Sequence, residues 1–310
     1  MSSIVLLLVV TLVWGTTFPL IRAASAHLSG VEISALRFLV AGLCMLPFAL
    51  KASRKAWGDG ILLGAVALVS YVSQAFGLEY ISSNRSAFLT AINALMVPFL
   101  GLLWGGRLNL QAIGAAVLAC TGVALMSWDS GGNLIGDGAT LLCALAYAIY
   151  VILLSRCAAM HPPRVLAGTQ IVAMAVMGSV WLAITHLHGS ELVGLPLRAR
   201  PVLLSIIYLG VVATAGMLFL QAVGQRYVSA EKAAVFYVME PVFAALFGWL
   251  WLHEVMSIRA IIGAVMVVLA VMLGEWRFTP GRSVLNLLSV RSGSPARSAA
   301  AGTIRKAKPL

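Results

Sequence analysis

The chain reads QAFGLEYISSNRSAFLTAINALMVPFLGLLW over residues 74–104 and QAVGQRYVSAEKAAVFYVMEPVFAALFGWLW over residues 221–251. In register, the two stretches share Gln, Gly, Tyr, Ser and Trp, and Arg85 meets Lys232. Matching Leu and Ala are common by chance in apolar segments, whereas polar and aromatic matches in one register are not. The chain therefore contains an internal repeat with an offset of 147 residues.

An earlier part of the chain repeats more weakly, at an offset of 133 residues. Trp14 then meets Tyr147, and Arg37 meets Gln170. The longer connector at about 185–201 absorbs the difference between the two offsets. Together the two matches divide the chain into a first repeat at residues 1–128 and a second at 129–275, followed by a tail at 276–310.

Composition indicates a membrane protein, since 61% of the 310 residues are hydrophobic and only 10% are charged. A soluble domain has about 45–50% apolar and about 25% charged residues, so a cytosolic enzyme is excluded. Four cysteines are too few for a disulfide scaffold, and we assign them to packing.

Spanning helices need about 20 apolar residues, and ten such segments occur: 3–22, 32–50, 60–79, 84–104, 110–128, 135–155, 164–184, 202–221, 232–252 and 257–275.

Each repeat contains five segments, an odd number, so the second repeat must cross the membrane in the opposite sense to the first. The predicted fold class is an all-α integral membrane protein with ten transmembrane helices as two inverted five-helix repeats. This plan recurs in secondary transporters, whose substrate site lies near the midplane between the repeats.

Basic residues predict the orientation. With the N-terminus inside, fifteen Lys and Arg residues lie on that side and five on the other, which places both termini in the cytoplasm. The tail at 276–310 has seven basic and no acidic residues, so we expect it to be disordered. Attraction to anionic lipid headgroups explains its charge more simply than nucleic-acid binding, which is not expected. The favoured interpretation is an inert tail that follows the positive-inside rule.

Several motifs carry a family resemblance: residues 14–19 (WGTTFP), 36–38 (LRF), 77–84 (GLEYISSN), 227–232 (YVSAEK), 239–245 (MEPVFAA) and 252–254 (LHE). Together they resemble EamA-type transporters of the drug/metabolite transporter superfamily, over about residues 4–275. The first repeat departs from the pattern, with Asn93 where the second has Glu240 and with Gly106-Arg107 in place of the usual Gly-Glu. The resemblance implies ten helices, cytoplasmic termini and export of amino acids, drugs or metabolites across a bacterial inner membrane.

Glu240 is the principal candidate for chemistry because it lies near the middle of its span. An ionised acid there costs at least about 2.5–3.5 kcal/mol, and such residues usually face a cavity. Desolvation disfavours the charged carboxylate, so Glu240 could exchange protons or bind a substrate amine. Alternatively, it hydrogen-bonds within the protein and shapes the kink at Pro241.

The other candidate residues for substrate binding or coupling are polar or aromatic side chains within spans. The aromatic side chains offer a cation–π surface to an ammonium group, and Arg37 either pairs with a substrate carboxylate or extends towards the membrane surface. The alternatives are core packing for the aromatics and interhelical hydrogen bonds for the amides. These candidates are Asn93, Gln74, Gln221, Tyr71, Trp14, Tyr147, Tyr150, Tyr237 and Arg37.

The sequence contains no phosphate-binding loop and no metal-ligand spacing, so we expect no cofactor, no metal and no enzymatic activity. The expected partners are a small-molecule substrate, membrane lipids and, as a candidate coupling ion, protons; the chain is a monomer or a weak homodimer. We expect alternating access around a cavity lined by spans 1, 3, 4, 6, 8 and 9. Three alternatives remain: a transporter of nucleotide sugars or other phosphorylated metabolites, which would need two or more cavity cations, an intramembrane lipid enzyme, and an assembly factor.

Overall fold

A computed structural model describes residues 3–103, 110–126, 133–185, 191–252 and 257–275. Within these residues the chain is helical apart from short connections, and it contains no strand. The predicted tail at 276–310 lies outside the described residues, as do Gly106, Arg107, His253 and Glu254.

Seven helices make up the part of the chain before residue 127. They are α1 (Ser3–Gly15), α2 (Thr17–Ala24), α3 (Gly30–Ala49), α4 (Arg54–Tyr80), α5 (Ser83–Ala91), α6 (Asn93–Leu103) and α7 (Leu110–Met126). The remaining helices are α8 (Leu134–Met160), α9 (Pro163–Thr185), α10 (Glu191–Ala199), α11 (Leu203–Gly210), α12 (Met217–Gln225), α13 (Ala230–Tyr237), α14 (Met239–Leu252) and α15 (Ile258–Glu275).

Seven of the helical segments are long and apolar enough to cross a membrane: Ser3–Ala24, Gly30–Ala49, Arg54–Tyr80, Ser83–Leu103, Leu134–Met160, Pro163–Thr185 and Gly194–Gln225. Shorter apolar helices occupy Leu110–Leu125 and Ile261–Leu273. The prediction of an all-helical integral membrane fold is confirmed.

Three segments are interrupted. The helix breaks at Thr16 between α1 and α2, at Ile92 between α5 and α6, and at Val238 between α13 and α14. The last two breaks lie at nearly the same place in the two matching stretches. Within these stretches, α5 and α13 each begin with a serine cap: the Ser82 side chain accepts from the Arg85 amide, and the Ser229 side chain accepts from the Lys232 amide.

The helix bounds differ from the predicted spans at several ends. The third span begins at Arg54 rather than residue 60, because the Ser53 side chain caps the helix within a polar run that hydropathy does not detect. The connector predicted at about 185–201 contains α10 (Glu191–Ala199) and a 3₁₀ turn at Arg200–Val202. Helix ends are set by caps and local hydrogen bonds rather than by hydropathy.

Small residues bring α4 close to two neighbours. A Cβ atom at Gly60 would lie 2.2 Å from Thr169 Oγ1 on α9, and one at Gly77 would lie 2.4 Å from Thr140 Oγ1 on α8. Gly42 gives α3 a similar approach to Ala175 on α9. Such close backbone contact is typical of helix interfaces in membranes, and it makes α3, α4, α8 and α9 the packed centre of the bundle.

Ion pairs join helix ends at both ends of the bundle. Arg85 holds Asp137 at the start of α8 through two contacts of 2.6 and 2.8 Å, and Arg198 pairs with Glu32 at 2.5 Å. At the opposite end of α8, His161 Nε2 lies 2.6 Å from Asp59 Oδ2 near the start of α4.

Candidate functional site

A cavity with an empty volume of about 380 Å³, counted with its opening to solvent, lies among the central helices. The lining residues come from α1, α2, α3, α4, α5, α8 and α14: Trp14, Thr17, Arg37, Ser70, Tyr71, Gln74, Thr90, Cys143, Tyr147 and Glu240.

Arg37 provides the positive charge of the cavity. It is 2% exposed, its Nε donates to Thr214 Oγ1 at 3.0 Å, and its guanidinium carbon lies 4.8 Å from the centre of the Tyr71 ring. Its Nη2 nitrogen is buried without a hydrogen-bond partner. A buried cation with an unmet donor is costly, and a carboxylate entering the cavity would meet that need.

Glu240 provides the acidic side chain of the same cavity. It is the second residue of α14, directly after the break at Val238, and its side chain is partly exposed. The approach of α1 to this turn depends on Gly15, where a Cβ atom would lie 3.0 Å from the Glu240 carbonyl oxygen. Within the described part of the chain, Glu240 and Arg37 form no ion pair, so neither side chain is neutralised by the other.

Aromatic rings form one wall of the cavity. The Trp14 ring centre lies 5.9 Å from that of Tyr147 and 5.8 Å from that of Tyr237, and Tyr147 stacks on Tyr150 at 5.9 Å. Electron-rich ring faces attract cations such as an ammonium group. The wall is therefore suited to an amphipathic solute that carries a positive charge.

A hydrogen-bonded set of glutamine and tyrosine side chains lies beside this wall. Along α8, the cavity residues Cys143 and Tyr147 come first, and Tyr150 and Ser155 follow towards the C-terminal end. We call the set Tyr147, Tyr150, Gln170, Gln221, Gln225 and Tyr237 the Gln–Tyr network.

Four contacts hold the Gln–Tyr network together. The Tyr150 hydroxyl lies 3.3 Å from Gln170 Oε1 and 3.4 Å from Gln221 Oε1, and Gln221 Nε2 donates to the Tyr147 hydroxyl at 3.1 Å. Tyr237 donates to Gln225 Oε1 at 3.1 Å. All six side chains are buried, and the network lies further along α8 towards its C-terminal end than the cavity residue Cys143.

A π-helical turn at Val211–Gly216, between α11 and α12, supports two cavity residues. The Trp14 indole nitrogen donates to the Ala213 carbonyl at 2.8 Å, and Arg37 donates to Thr214, whose hydroxyl in turn donates to the Leu209 carbonyl at 2.7 Å. Single π turns inside helices occur frequently at functional sites. Here the turn orients the Trp14 and Arg37 side chains.

The structure brings six of the predicted site residues into the cavity: Glu240, Arg37, Trp14, Tyr71, Gln74 and Tyr147. Gln221, Tyr150 and Tyr237 belong to the Gln–Tyr network instead. Asn93 is buried elsewhere, where its Nδ2 donates to the Thr90 carbonyl at 2.5 Å and its Oδ1 has no partner. Span 2, which was not expected to line the cavity, contributes Arg37. Span 8, which was expected to line it, contributes only indirectly, because Thr214 accepts a hydrogen bond from Arg37.

Four lining residues were not predicted: Thr17, Ser70, Thr90 and Cys143, the last of which was assigned to packing. Each lies three or four residues from a predicted candidate, namely Trp14, Gln74, Asn93 and Tyr147 respectively. Residues at that spacing share a helix face, so a search along the faces of the candidates would have found them.

Among the described residues, no group of three or more His, Cys, Asp or Glu side chains could hold a metal ion. The residues that line the cavity offer a guanidinium, a carboxyl group, polar side chains and aromatic rings for recognition of a solute. A cavity of this kind can bind a small charged solute.

Comparison with known proteins identifies the family. The model of the EamA-like transporter family matches residues 1–128 and 134–274. An uncharacterized transporter of Archaeoglobus fulgidus is 28% identical over 274 residues, which is 87% of this chain and 85% of its own length. The uncharacterized transporter YvbV of Bacillus subtilis is 22% identical and covers 86% of this chain and 90% of its own.

A solved crystal structure shares the fold. It covers 95% of this chain and 99% of its own, with a TM-score of 0.69 at 17% sequence identity. The apolar helices, the central cavity and the family match over both halves of the chain lead to one conclusion: the chain belongs to the EamA-like transporter family of the drug/metabolite transporter superfamily and is an integral membrane transporter.

Proposed function

We propose that the chain is a secondary active transporter or facilitator that exports small metabolites, chiefly amino acids or related amphipathic compounds, across the bacterial inner membrane by alternating access. The observation that supports this most directly is the central cavity, which combines the unpartnered Nη2 of Arg37, the carboxyl group of Glu240 and an aromatic wall. An amino acid presents complementary groups to each of these features.

Alternating access requires that the cavity be closed on one side while it is open on the other. The Gln–Tyr network supplies the closed side, because its side chains are buried and bonded to one another across α8, α9, α12 and α13. A bound solute moves such an equilibrium only if it stabilises the occluded state relative to the open states. Both termini lie in the cytoplasm in this proposal, which places the network on the cytoplasmic side.

A single cavity cation argues against phosphorylated substrates. Of the described residues that line the cavity, Arg37 is the one Lys or Arg. A nucleotide sugar carries a diphosphate, and such groups are usually held by several Arg or Lys side chains. Among the described lining residues, Glu240 supplies the one Asp or Glu carboxyl group.

Counterflow in proteoliposomes tests the proposal. Liposomes with the purified protein are loaded with an unlabelled compound from a panel of amino acids and other metabolites, and uptake of the labelled compound is followed with no imposed gradient. We expect saturable uptake that competitors inhibit, with the labelled compound recovered intact by mass spectrometry. Liposomes without protein provide the control, and the absence of counterflow for every compound, from protein shown to be folded, would overturn the proposal.

A further inference from the structure

We infer that the cavity binds its substrate as a zwitterion, with the substrate carboxylate on Arg37 Nη2 and the substrate ammonium group against Glu240. The inference rests on the proposed function, and it assigns each charged group of the substrate to one side chain. It follows from a basic and an acidic side chain that line one cavity without pairing with each other.

The contacts around Arg37 leave its Nη2 nitrogen without a hydrogen-bond acceptor. Thr214 accepts from Nε at 3.0 Å, and the Tyr71 ring lies 4.8 Å from the guanidinium carbon. These two contacts fix the plane of the guanidinium, while the buried Nη2 has no acceptor. A carboxylate is the preferred partner of a guanidinium nitrogen, because the charged hydrogen bond is roughly twice as strong as a neutral one.

Glu240 lines the same cavity as Arg37 and contributes an acidic side chain to it. A ligand with a carboxylate alone would satisfy Arg37 and leave the Glu240 carboxyl beside a second negative group. A ligand with an amine alone would satisfy Glu240 and leave Nη2 of Arg37 buried without an acceptor. A zwitterion satisfies both, and Trp14 and Tyr147 add ring faces that attract its ammonium group.

This assignment makes a prediction about substrate analogues. A site that is built to bond a polar group rejects analogues that lack it, because its own buried group is then left unpaired. Blocking the carboxylate as a methyl ester, or the amine as an N-acetyl derivative, should therefore weaken binding by a factor of about ten or more, where tenfold corresponds to about 1.4 kcal/mol.

The experiment uses counterflow competition in proteoliposomes. The probes are labelled threonine, leucine and phenylalanine, and each is challenged with the free amino acid, its methyl ester, its N-acetyl derivative and the matching decarboxylated amine. For the wild-type protein we expect the free amino acid to compete at least tenfold better than the three derivatives. Equal competition by the ester or the N-acetyl compound would overturn the inference while leaving the carrier function intact.

Two variants connect each selectivity to its side chain. In Arg37→Gln, the free acid and the ester should compete equally, whereas the discrimination against N-acetylation should remain. In Glu240→Gln, the free amino acid and its N-acetyl derivative should compete equally, whereas the preference for the free acid over the ester should remain. Arg37→Lys, which keeps the charge, should restore part of the preference for the acid, and Arg54→Gln, at an exposed position where α4 begins, is the matched control.

The outcomes separate the two proposals. Counterflow of other metabolites but of no amino acid would overturn the zwitterion site and leave a carrier. An absence of counterflow for every compound would overturn the proposed function and with it the zwitterion site. Where a variant fails to fold, the comparison of derivatives on the wild-type protein still decides the question.

Discussion

At the scale of single residues, Glu240 is the group through which a proton gradient could act. Its carboxyl group lines the cavity and takes part in no ion pair within the described residues. A proton bound there on one side of the membrane and released on the other would couple transport to the gradient.

We expect Glu240→Gln to abolish stimulation of transport by a pH gradient while retaining exchange, because glutamine occupies the same space but cannot take up a proton. Transport is measured in proteoliposomes with and without the gradient. Glu231→Gln, an acid in the first turn of α13, is the matched control and should retain the stimulation. Unchanged gradient dependence in Glu240→Gln would exclude the coupling role.

The residues of the cavity were predictable in kind but only partly in position. Glu240, Arg37 and Trp14 stand out because charged or polar groups are rare within apolar spans. Gln221 and Asn93 are equally polar, yet Gln221 lies in the Gln–Tyr network and Asn93 donates to the Thr90 carbonyl of the preceding helix α5. Periodicity identifies a shared face, whereas depth and rotation of the helix depend on packing that no local pattern encodes.

At the scale of elements, the position of α4 depends on its glycines. A Cβ atom at Gly60 would lie 2.2 Å from Thr169 Oγ1 and 2.5 Å from Thr169 Cβ, distances that packed atoms do not reach. Gly58, two residues earlier on the same helix, has nothing within 4 Å of its Cβ position. The two positions form a natural pair for comparison.

We expect Gly60→Ala to destabilise the protein by about 1–3 kcal/mol, the usual cost of overpacking. Gly58→Ala should leave stability unchanged or raise it by about 0.5–1 kcal/mol, because alanine favours helix over glycine. Thermal unfolding in detergent measures both. Equal melting temperatures for the two variants would contradict the close approach of α4 to α9.

The ion pair between Arg85 and Asp137 connects the start of α5 to the start of α8. Both side chains are partly exposed, so the pair should contribute about 0.2–1 kcal/mol. A double-mutant cycle with Arg85→Ala and Asp137→Ala isolates that contribution, because it subtracts the contacts each residue makes with others. The coupling should weaken at high salt, and a coupling energy of zero at low salt would show that the contact does not stabilise the protein.

The helices themselves were largely predictable, since long apolar runs leave few alternatives in a membrane. The breaks at Ile92 and Val238 and the helix α10 were not. Hydropathy averages over these details.

At the scale of the whole molecule, corresponding residues of the two repeats have different surroundings. Trp14, Arg37 and Gln74 of the first repeat line the cavity. Their repeat counterparts Tyr147, Gln170 and Gln221 all take part in the Gln–Tyr network, although Tyr147 also reaches the cavity wall. In the opposite state we expect the roles to exchange, so that the network opens and the first set closes.

A cysteine at Gln74 or at Gln221, each in a protein whose four native cysteines are replaced by alanine, reports this asymmetry. We expect a water-soluble thiol reagent to label Gln74→Cys quickly and Gln221→Cys slowly, because Gln74 lines the cavity and Gln221 is 0% exposed. Substrate on both sides of the membrane should accelerate labelling of Gln221→Cys. The two positions are each other's control, and equal labelling rates at rest would contradict the closed network.

The repeat was predictable because its polar matches keep one register. Which repeat closes the cavity was not, since both arrangements are built from the same residues and two such packings of one chain can differ by only a few kcal/mol. Packing across the whole bundle makes that choice.

The π turn at Val211–Gly216 determines which way the side chains after it point around the helix axis. Its extra residue rotates everything that follows on the helix by about 100°, the angle of one α-helical step. Loss of a single codon within 211–216 would restore a regular helix and turn α12 away, so that Gln221 and Gln225 could no longer both face α8. The same three nucleotides lost from the connection between α2 and α3 would shift no register, so the tolerance of this gene to small deletions should drop sharply at the π turn.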